Sequence, residues 1–374
     1  MRVLVDGVAF EFQPNGGISR LYGELLPRMC DLDDTLGILL LTRSHAGSVP
    51  IHPRIARATP LPLHSLLRPA RFWWPASLCL RSMAQRLVLS EAGEDIWHST
   101  YYTMPPQRVR ATVVTVYDMI HERLQHLFTG RLNAQLREQK RRCVMAADAV
   151  ICISETTRND VAQAYGLDRS RLCVVPLAPS PVFRPLKDAD LPSGPPQDKP
   201  FLVYVGDRSH YKNLSCLLQA FGAWPGRREV DLVIVGREWT GQERQQLIDL
   251  SIVDAVHLLT GVDDESLCRI YNRAVALVYP SFYEGFGIPV LEAMACGCPV
   301  VASRIPSTIE IAGEVPIYFD PAEPADLIRA LDQVTAEGRL AQRTRIGQGA
   351  VSRYDWNAAA QQTLGVYRTI HGAV

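Results

Sequence analysis

The chain has 374 residues, with 39 lysines and arginines balanced by 39 aspartates and glutamates. That length exceeds one ordinary hydrophobic core and implies about two domains. A content of 21% charged and 47% hydrophobic residues excludes a disordered chain, and a pI near 7.1 leaves no net field that would single out a partner.

The N-terminus, MRVLVDGVAF, carries a short apolar run broken by Asp6. It reads as a first strand rather than a signal peptide. No run of about 18 uncharged apolar residues follows anywhere, so no transmembrane helix is expected. The nine cysteines, at 30, 79, 143, 152, 173, 216, 268, 296 and 298, show no CxxC spacing, and no histidine cluster accompanies Cys296 and Cys298. They read as reduced core thiols of a cytoplasmic protein rather than disulfides or a zinc site.

After the first strand comes a glycine corner, NGGISRLYGELL, opening a helix over 17–30. Gly16 and Gly17 allow close backbone approach, and the helix start turns its positive end to the same place. Further strands are predicted at 37–42, 95–98, 112–116, 149–153 and 172–175, with another helix over 131–147. Buried apolar strands alternating with helices imply a parallel sheet covered on both faces. Between them, residues 51–90 hold six arginines (54, 57, 68, 71, 81 and 86) and no acid, interleaved with Phe72, Trp73 and Trp74. Basic and aromatic residues together suit an anionic membrane surface, and RLNAQLREQKRRC from Arg131 adds a second basic stretch. No nucleic-acid module is recognisable, so no nucleic-acid partner is expected.

Residues 184–200 are rich in proline and charge and read as a linker. The strand pattern then restarts at 201–205, 231–235, 255–259, 276–279, 300–302 and 317–319. The expectation is an α/β protein of two doubly wound, Rossmann-like domains facing a cleft: residues 1–183, rejoined by 356–374, and residues 184–355. Ligands of such sheets lie beyond the carboxyl ends of the strands.

Two stretches at those ends carry chemistry. In YVGDRSHYKNL, a strand ends at Gly206 and two cations, Arg208 and Lys212, follow it, as a diphosphate requires. In YPSFYEGFGIPVLEAMACGCPVVAS, Glu284 precedes a Gly285-Phe286-Gly287 corner and Glu292 lies eight positions further on, one turn into a helix that starts near Ile288. Pro289 is tolerated in that first turn and Gly297 ends the helix. The amides of Phe286, Gly287 and Ile288 can hold phosphate oxygens. Carboxylates only accept hydrogen bonds, so the two acids suit sugar hydroxyls on either side of a diphosphate, which describes a nucleotide sugar.

The E-x7-E pair of Glu284 and Glu292, together with YVGDRSHYKN and NGGISR, resembles the retaining family 4 glycosyltransferases of GT-B fold, over the whole chain and in order. The resemblance implies that Glu284 holds donor-sugar hydroxyls and Glu292 the ribose. It implies that Arg208 and Lys212 bind the diphosphate, that Gly16 and Gly17 lie near donor or acceptor, and that the C-terminal helix returns to the first domain. Many relatives place a histidine where this chain has Tyr117 in TVYDMIHE, so Asp118 and His121 are the candidates near the anomeric carbon, with His98 and Tyr117 facing the cleft or acceptor. With no Asp-x-Asp motif at a strand end of the second half, cations and helix amides stand in for a metal, and neither metal nor cofactor is expected. The contexts resemble mannosyl- and rhamnosyltransferases of surface polysaccharide and O-chain synthesis, giving GDP-mannose as donor and a lipid-linked or oligosaccharide acceptor at the inner face of a bacterial inner membrane. Two alternatives remain open: an enzyme of the same fold acting on UDP-sugars, such as a UDP-GlcNAc 2-epimerase, and a non-catalytic nucleotide-sugar-binding scaffold.

Overall fold

The computed structural model describes residues 1–14, 16–43, 49–59, 93, 95–187, 199–336 and 340–372, with backbone only at 340–345. These residues form two compact units, Met1–Leu177 with Asp355–Val374, and Ala178–Tyr354. Of the basic and aromatic stretch, residues 60–90 lie outside the described residues, as do Asn15 and residues 188–198 of the expected linker.

The first unit is built on seven parallel strands: β1 (Arg2–Val5), β2 (Gly37–Leu41), β3 (Ile55–Ala58), β4 (Ile96–Ser99), β5 (Ala111–Val116), β6 (Ala149–Cys152) and β7 (Leu172–Val174). Their spatial order is β3-β2-β1-β4-β5-β6-β7. Register is fixed by apolar pairs such as Leu4 opposite Leu39 and Trp97. Strand β3 was not expected. Its sequence, IARA, buries only Ile55 well, because it is an edge strand whose outer positions face water. Two arginines of the basic stretch are used locally here: Arg54 bonds Asp34 at 2.5 Å, and Arg57 donates to the carbonyls of Val49 and Pro50.

Helices of this unit are α1 (Val8–Phe12), α2 (Gly17–Leu32), α3 (Ile120–Arg123), α4 (Arg131–Ala146) and α5 (Glu155–Tyr165), with a C-terminal helix Trp356–Gly372. The C-terminal helix packs on α2 and is pinned by Arg368 to Asp33 at 2.7 Å and by a buried Tyr367. Helix α5 starts where the Ser154 hydroxyl accepts from the Thr157 amide and stops at Gly166 in the left-handed conformation.

The second unit repeats the plan with β8 (Phe201–Val205), β9 (Asp231–Val235), β10 (Val256–Leu259), β11 (Ala276–Tyr279), β12 (Val300–Ser303) and β13 (Ile317–Phe319), all parallel, in the order β10-β9-β8-β11-β12-β13. Its helices are α6 (Leu214–Ala223), α7 (Gly241–Asp249), α8 (Asp264–Arg273), α9 (Ile288–Ala295), α10 (Pro306–Ala312), α11 (Pro324–Thr335) and α12 (Leu340–Val351). One core runs from Leu202 and Tyr204 through Phe221 and Trp224 to Phe319 and Leu331. In both units the strand order reverses beside the first strand, between β1 and β4 and between β8 and β11. Loops on either side of such a reversal leave in opposite directions and open a crevice at the carboxyl ends. No described helix is long and apolar enough to cross a membrane.

Candidate active site

In the second unit the two loops flanking the strand reversal are the two stretches singled out in the sequence. The loop after β8 carries Gly206, Arg208 and Lys212, and the loop after β11 carries Glu284 to Gly287. They are tied together by the Phe282 amide donating to the Tyr211 carbonyl at 2.8 Å. Across this seam Lys212 Nζ meets both Glu284 oxygens, at 2.8 and 3.1 Å, with the two side chains only 15% and 11% exposed. The ammonium also lies 5.2 and 5.6 Å from the ring centroids of Tyr211 and Tyr279.

The corner after Glu284 turns at Gly287, whose φ of +126° an L side chain rarely adopts and where a Cβ would lie 2.9 Å from Ile311 Cδ1. Helix α9 then starts at Ile288, with Pro289 in its first turn. Pro289 has no N–H and the Val290 amide bonds the Gly287 carbonyl at 3.0 Å, so the Ile288 amide is the one at the helix start with no carbonyl of a preceding turn to bond among the described residues. Glu292 lies on the buried side of α9, 3% exposed, and accepts from the Tyr271 hydroxyl at 3.3 Å. Burial, and then the Glu292 charge, push the Tyr271 phenol well above its ordinary range. The tyrosine therefore stays a proton donor to that carboxylate.

The two cations of the β8 loop do different things. The Arg208 side chain is fully enclosed. It donates to Glu243 (2.9 and 3.3 Å) and to the carbonyls of Arg237 (2.7 Å) and Glu238 (2.6 Å), and it lies over the Trp239 ring. Glu243 is also the third residue of α7, where it completes a capping box with Thr240. Burial alone would raise its carboxyl, but the Arg208 guanidinium and the Thr240 amide hold it down at about 2. Gly236 makes the crossing possible, since a Cβ there would sit 2.7 Å from the Gly206 carbonyl and 3.2 Å from Arg208. In this structure Lys212 is thus the cation at Glu284, and Arg208 braces the β8 loop against the β9 loop.

In the first unit, Gly16 precedes α2 and Gly17 opens it, with open space around a Cβ placed at Gly17. The strand reversal here is closed by Asp6, a residue the sequence had marked only as an interruption. Its fully buried carboxylate accepts from the amides of Val8 (3.1 Å) and Thr100 (3.0 Å) and from the hydroxyls of Ser99, Thr100 and Thr103. Asp118, one strand further out, binds the Ile120 amide at 3.1 Å and has a side chain 39% exposed. His121 follows in α3 and packs 4.5 Å from the Phe128 ring. Both stand near Lys140 and Glu122, which the sequence reading did not select.

His98 and Tyr117 correct the expectation of cleft residues. His98 is 0% and Tyr117 7% exposed. His98 bonds Tyr367 through Nδ1 and Thr115 (2.8 Å) and Tyr22 (3.3 Å) through Nε2. The Tyr117 hydroxyl reaches Tyr22 at 3.0 Å and donates to the Thr100 carbonyl at 2.7 Å. They form a core network that fastens the C-terminal helix to the sheet. Burial, opposed weakly by Asp6, pulls the His98 imidazole down to about 4. A cavity of about 610 Å³ against the edge strand β13, beside Arg304 and Tyr318, holds none of the expected site residues.

Comparison with known proteins follows the same division. Residues 15–178 match the profile described as Glycosyltransferase Family 4, and residues 188–352 that of Glycosyl transferases group 1. The chain belongs to the family 4, group 1 glycosyltransferases. It is 27% identical over 301 residues to the O-antigen chain mannosyltransferase B of Escherichia coli, covering 78% of each chain. It is 26% identical to the O-antigen chain mannosyltransferase RfbU of Salmonella typhimurium, covering 79% of each. Among solved structures, sucrose-phosphate synthase from Thermosynechococcus elongatus superposes with a TM-score of 0.80 at 20% identity, covering 100% of this chain and 99% of that one. Anabaena HepE in complex with UDP-glucose superposes with a TM-score of 0.74 at 16% identity, covering 98% and 99%. These neighbours establish the GT-B fold.

For this glycosyltransferase the buried histidine gives a testable pH dependence. The folded value of His98, about 4, lies below the ordinary 6.5. The unfolded chain therefore binds the extra proton, and the stability that depends on a neutral His98 is complete above pH 6.5 and lost as pH falls towards 4. The full loss is about 3 kcal/mol. Hydrogen-exchange protection of the β4 amides is expected to fall between pH 6.5 and 4.5, and that fall to be absent in His98→Gln.

Proposed function

We propose that this glycosyltransferase moves a hexose from a nucleotide-diphosphate sugar, with GDP-mannose as the donor, to a lipid-linked or oligosaccharide acceptor in bacterial surface polysaccharide or lipopolysaccharide synthesis. The observation that carries the reading is the Lys212–Glu284 pair at the strand reversal of the second unit, beside the glycine corner and Glu292. A diphosphate against Lys212 and the Ile288 amide that opens α9 would place its sugar at Glu284 and its ribose at Glu292. The mannose donor is supported by the likeness to the two O-antigen chain mannosyltransferases.

The chemistry follows from charge. Breaking the bond between the anomeric carbon and the β-phosphate oxygen leaves negative charge on the diphosphate. Lys212, the Ile288 amide and the positive end of α9 stabilise that charge as it forms, which makes a metal unnecessary. Arg208 contributes by fixing the loop that carries Lys212. The acceptor oxygen bonds to the anomeric carbon from the face the diphosphate leaves, its proton passing to the departing phosphate, so the configuration is retained. The transition state is oxocarbenium-like, and Glu284 beside it favours the positive charge.

The donor half is tested by thermal stability against GDP-, UDP-, dTDP- and ADP-sugars with chelator present. A ligand bound only by the native state raises the melting temperature by mass action. GDP-mannose is expected to give the largest rise, and Lys212→Ala to abolish it. An equal response to every base would remove the GDP assignment, and no response with or without magnesium would remove the donor site. Chelator is likewise expected to leave nucleotide release unchanged.

The acceptor half includes peripheral binding to the inner face of an anionic membrane through the basic and aromatic stretch 51–90. Sedimentation with phosphatidylglycerol vesicles is expected to carry the chain down. Arg68/Arg71/Arg81→Glu should leave it in the supernatant, and binding indifferent to anionic lipid would remove the membrane reading.

A further inference from the structure

Asp118 and His121 stand on a loop and a single helical turn, elements with little rigidity of their own. Consecutive residues of α4 tie together the loops around them. Gln139 donates to the Tyr102 carbonyl in the loop after β4, at 2.6 Å. Lys140 donates to the Asp118 carbonyl at 3.1 Å and to Glu122 Oε2 at 2.9 Å, and lies 3.9 Å from the Asp118 carboxylate. Tyr102 has a φ of +54°, uncommon for a non-glycine residue, and its ring lies 5.5 Å from the Lys140 ammonium. Lys140 is 1% exposed, on the buried stripe of α4 with Cys143 and Val144. Desolvating an ammonium is costly, and an apolar side chain of similar volume would fill that stripe without the cost. Stability alone does not favour a lysine there.

We propose that Lys140 is a positioning residue of the transfer reaction: its ammonium fixes the Asp118 backbone and, through Glu122, the helical turn that carries His121. The proposal rests on the reading that Asp118 and His121 stand near the anomeric carbon. A second observation bears on it. His121 Nδ1 is buried with no hydrogen-bond partner among the described residues, which a neutral ring can leave as an acceptor for a ligand hydroxyl and a charged ring cannot. The charged groups around His121 are Lys140 and Arg137 from α4, and Asp118 and Glu122 from its own segment. Burial first, and then the Lys140 charge, lower the imidazole against the pull of the two carboxylates. Geometry and protonation of the same ring therefore depend on one ammonium. Glu122 is held from its other side by the Tyr165 hydroxyl at 2.8 Å.

The test separates a positioning lysine from a buried ion pair, using the full chain and release of nucleotide diphosphate from the donor that stabilises it. Lys140→Met is expected to lower kcat roughly ten- to a hundredfold with donor KM little changed, as for a misplacement of about 1 Å. The His121 imidazole, followed by NMR, should titrate at higher pH. Because this variant strands the Glu122 carboxylate, its fold can fail. Lys140→Met combined with Glu122→Gln removes both charges, is expected to melt close to the wild type, and should still lose kcat. A double variant that is folded and fully active overturns the proposal, since the pair is then structural. Asp118→Asn and His121→Ala control for the reading beneath it. Wild-type turnover in both removes that reading and the proposal with it. Loss in both beside an active double variant removes Lys140 alone.

Discussion

Everything in the candidate donor site depends on a topological constraint: two parallel strands side by side whose following loops leave in opposite directions. Between β8 and β11 no connection can close over the seam, so the loop ends stay within reach of a ligand and of each other. The backbone bond from Phe282 to Tyr211 shows how near those ends come. Once that seam exists, side chains 72 residues apart, Lys212 and Glu284, become partners. The same reversal in the first unit has a different outcome. There the Asp6 carboxylate is taken up by the Val8 amide of its own loop and by the Thr100 amide and three hydroxyls at the end of β4, and it seals the seam. One fold rule thus yields a charged seam in one unit and a sealed one in the other, the difference lying in which side chain follows the first strand.

The fold was largely legible because buried parallel strands are continuous apolar runs with glycine, proline or acid at their ends. Twelve expected strands match observed ones within a residue or two. Strand β3 escaped because an edge strand needs little apolar surface, and IARA shows one strongly apolar residue among alanines and an arginine. The glutamates were legible for a local reason: a glycine corner, a proline in the first turn and a helix-ending glycine fix where the two acids stand relative to each other.

What the sequence could not show was who pairs with whom. Arg208 reads as a ligand cation at a strand end, and the same position suits a brace. Its choice depends on β9 lying next to β8, which brings Glu243 across. The capping box of Thr240 and Glu243 is a local pairing, whereas the second partner of Glu243 comes from a different strand's loop. His98 failed for a related reason. A histidine at a strand end faces ligand or core according to what covers it, and here a tyrosine arrives from 269 residues away. Lys140 did leave a signal, a charge on the stripe shared with Cys143 and Val144, and such a mismatch marks a buried charge with a specific partner.

The Lys212–Glu284 pair also explains how a site can hold opposite charges before its ligand arrives. Neither side chain is more than 15% exposed, so either one alone would be a poorly solvated charge. Paired, each satisfies the other and both are held in place with little rotamer entropy left to lose. On the proposed reading, a donor would bring an anion for Lys212 and hydroxyls for Glu284, so both charges would change partner at once and neither would be left bare. A free sugar would leave the lysine without its anion, and a free nucleotide would leave the carboxylate without hydroxyls. A seam used in that way would favour the joined molecule over either half, through the cost of leaving a partly buried charge unpaired.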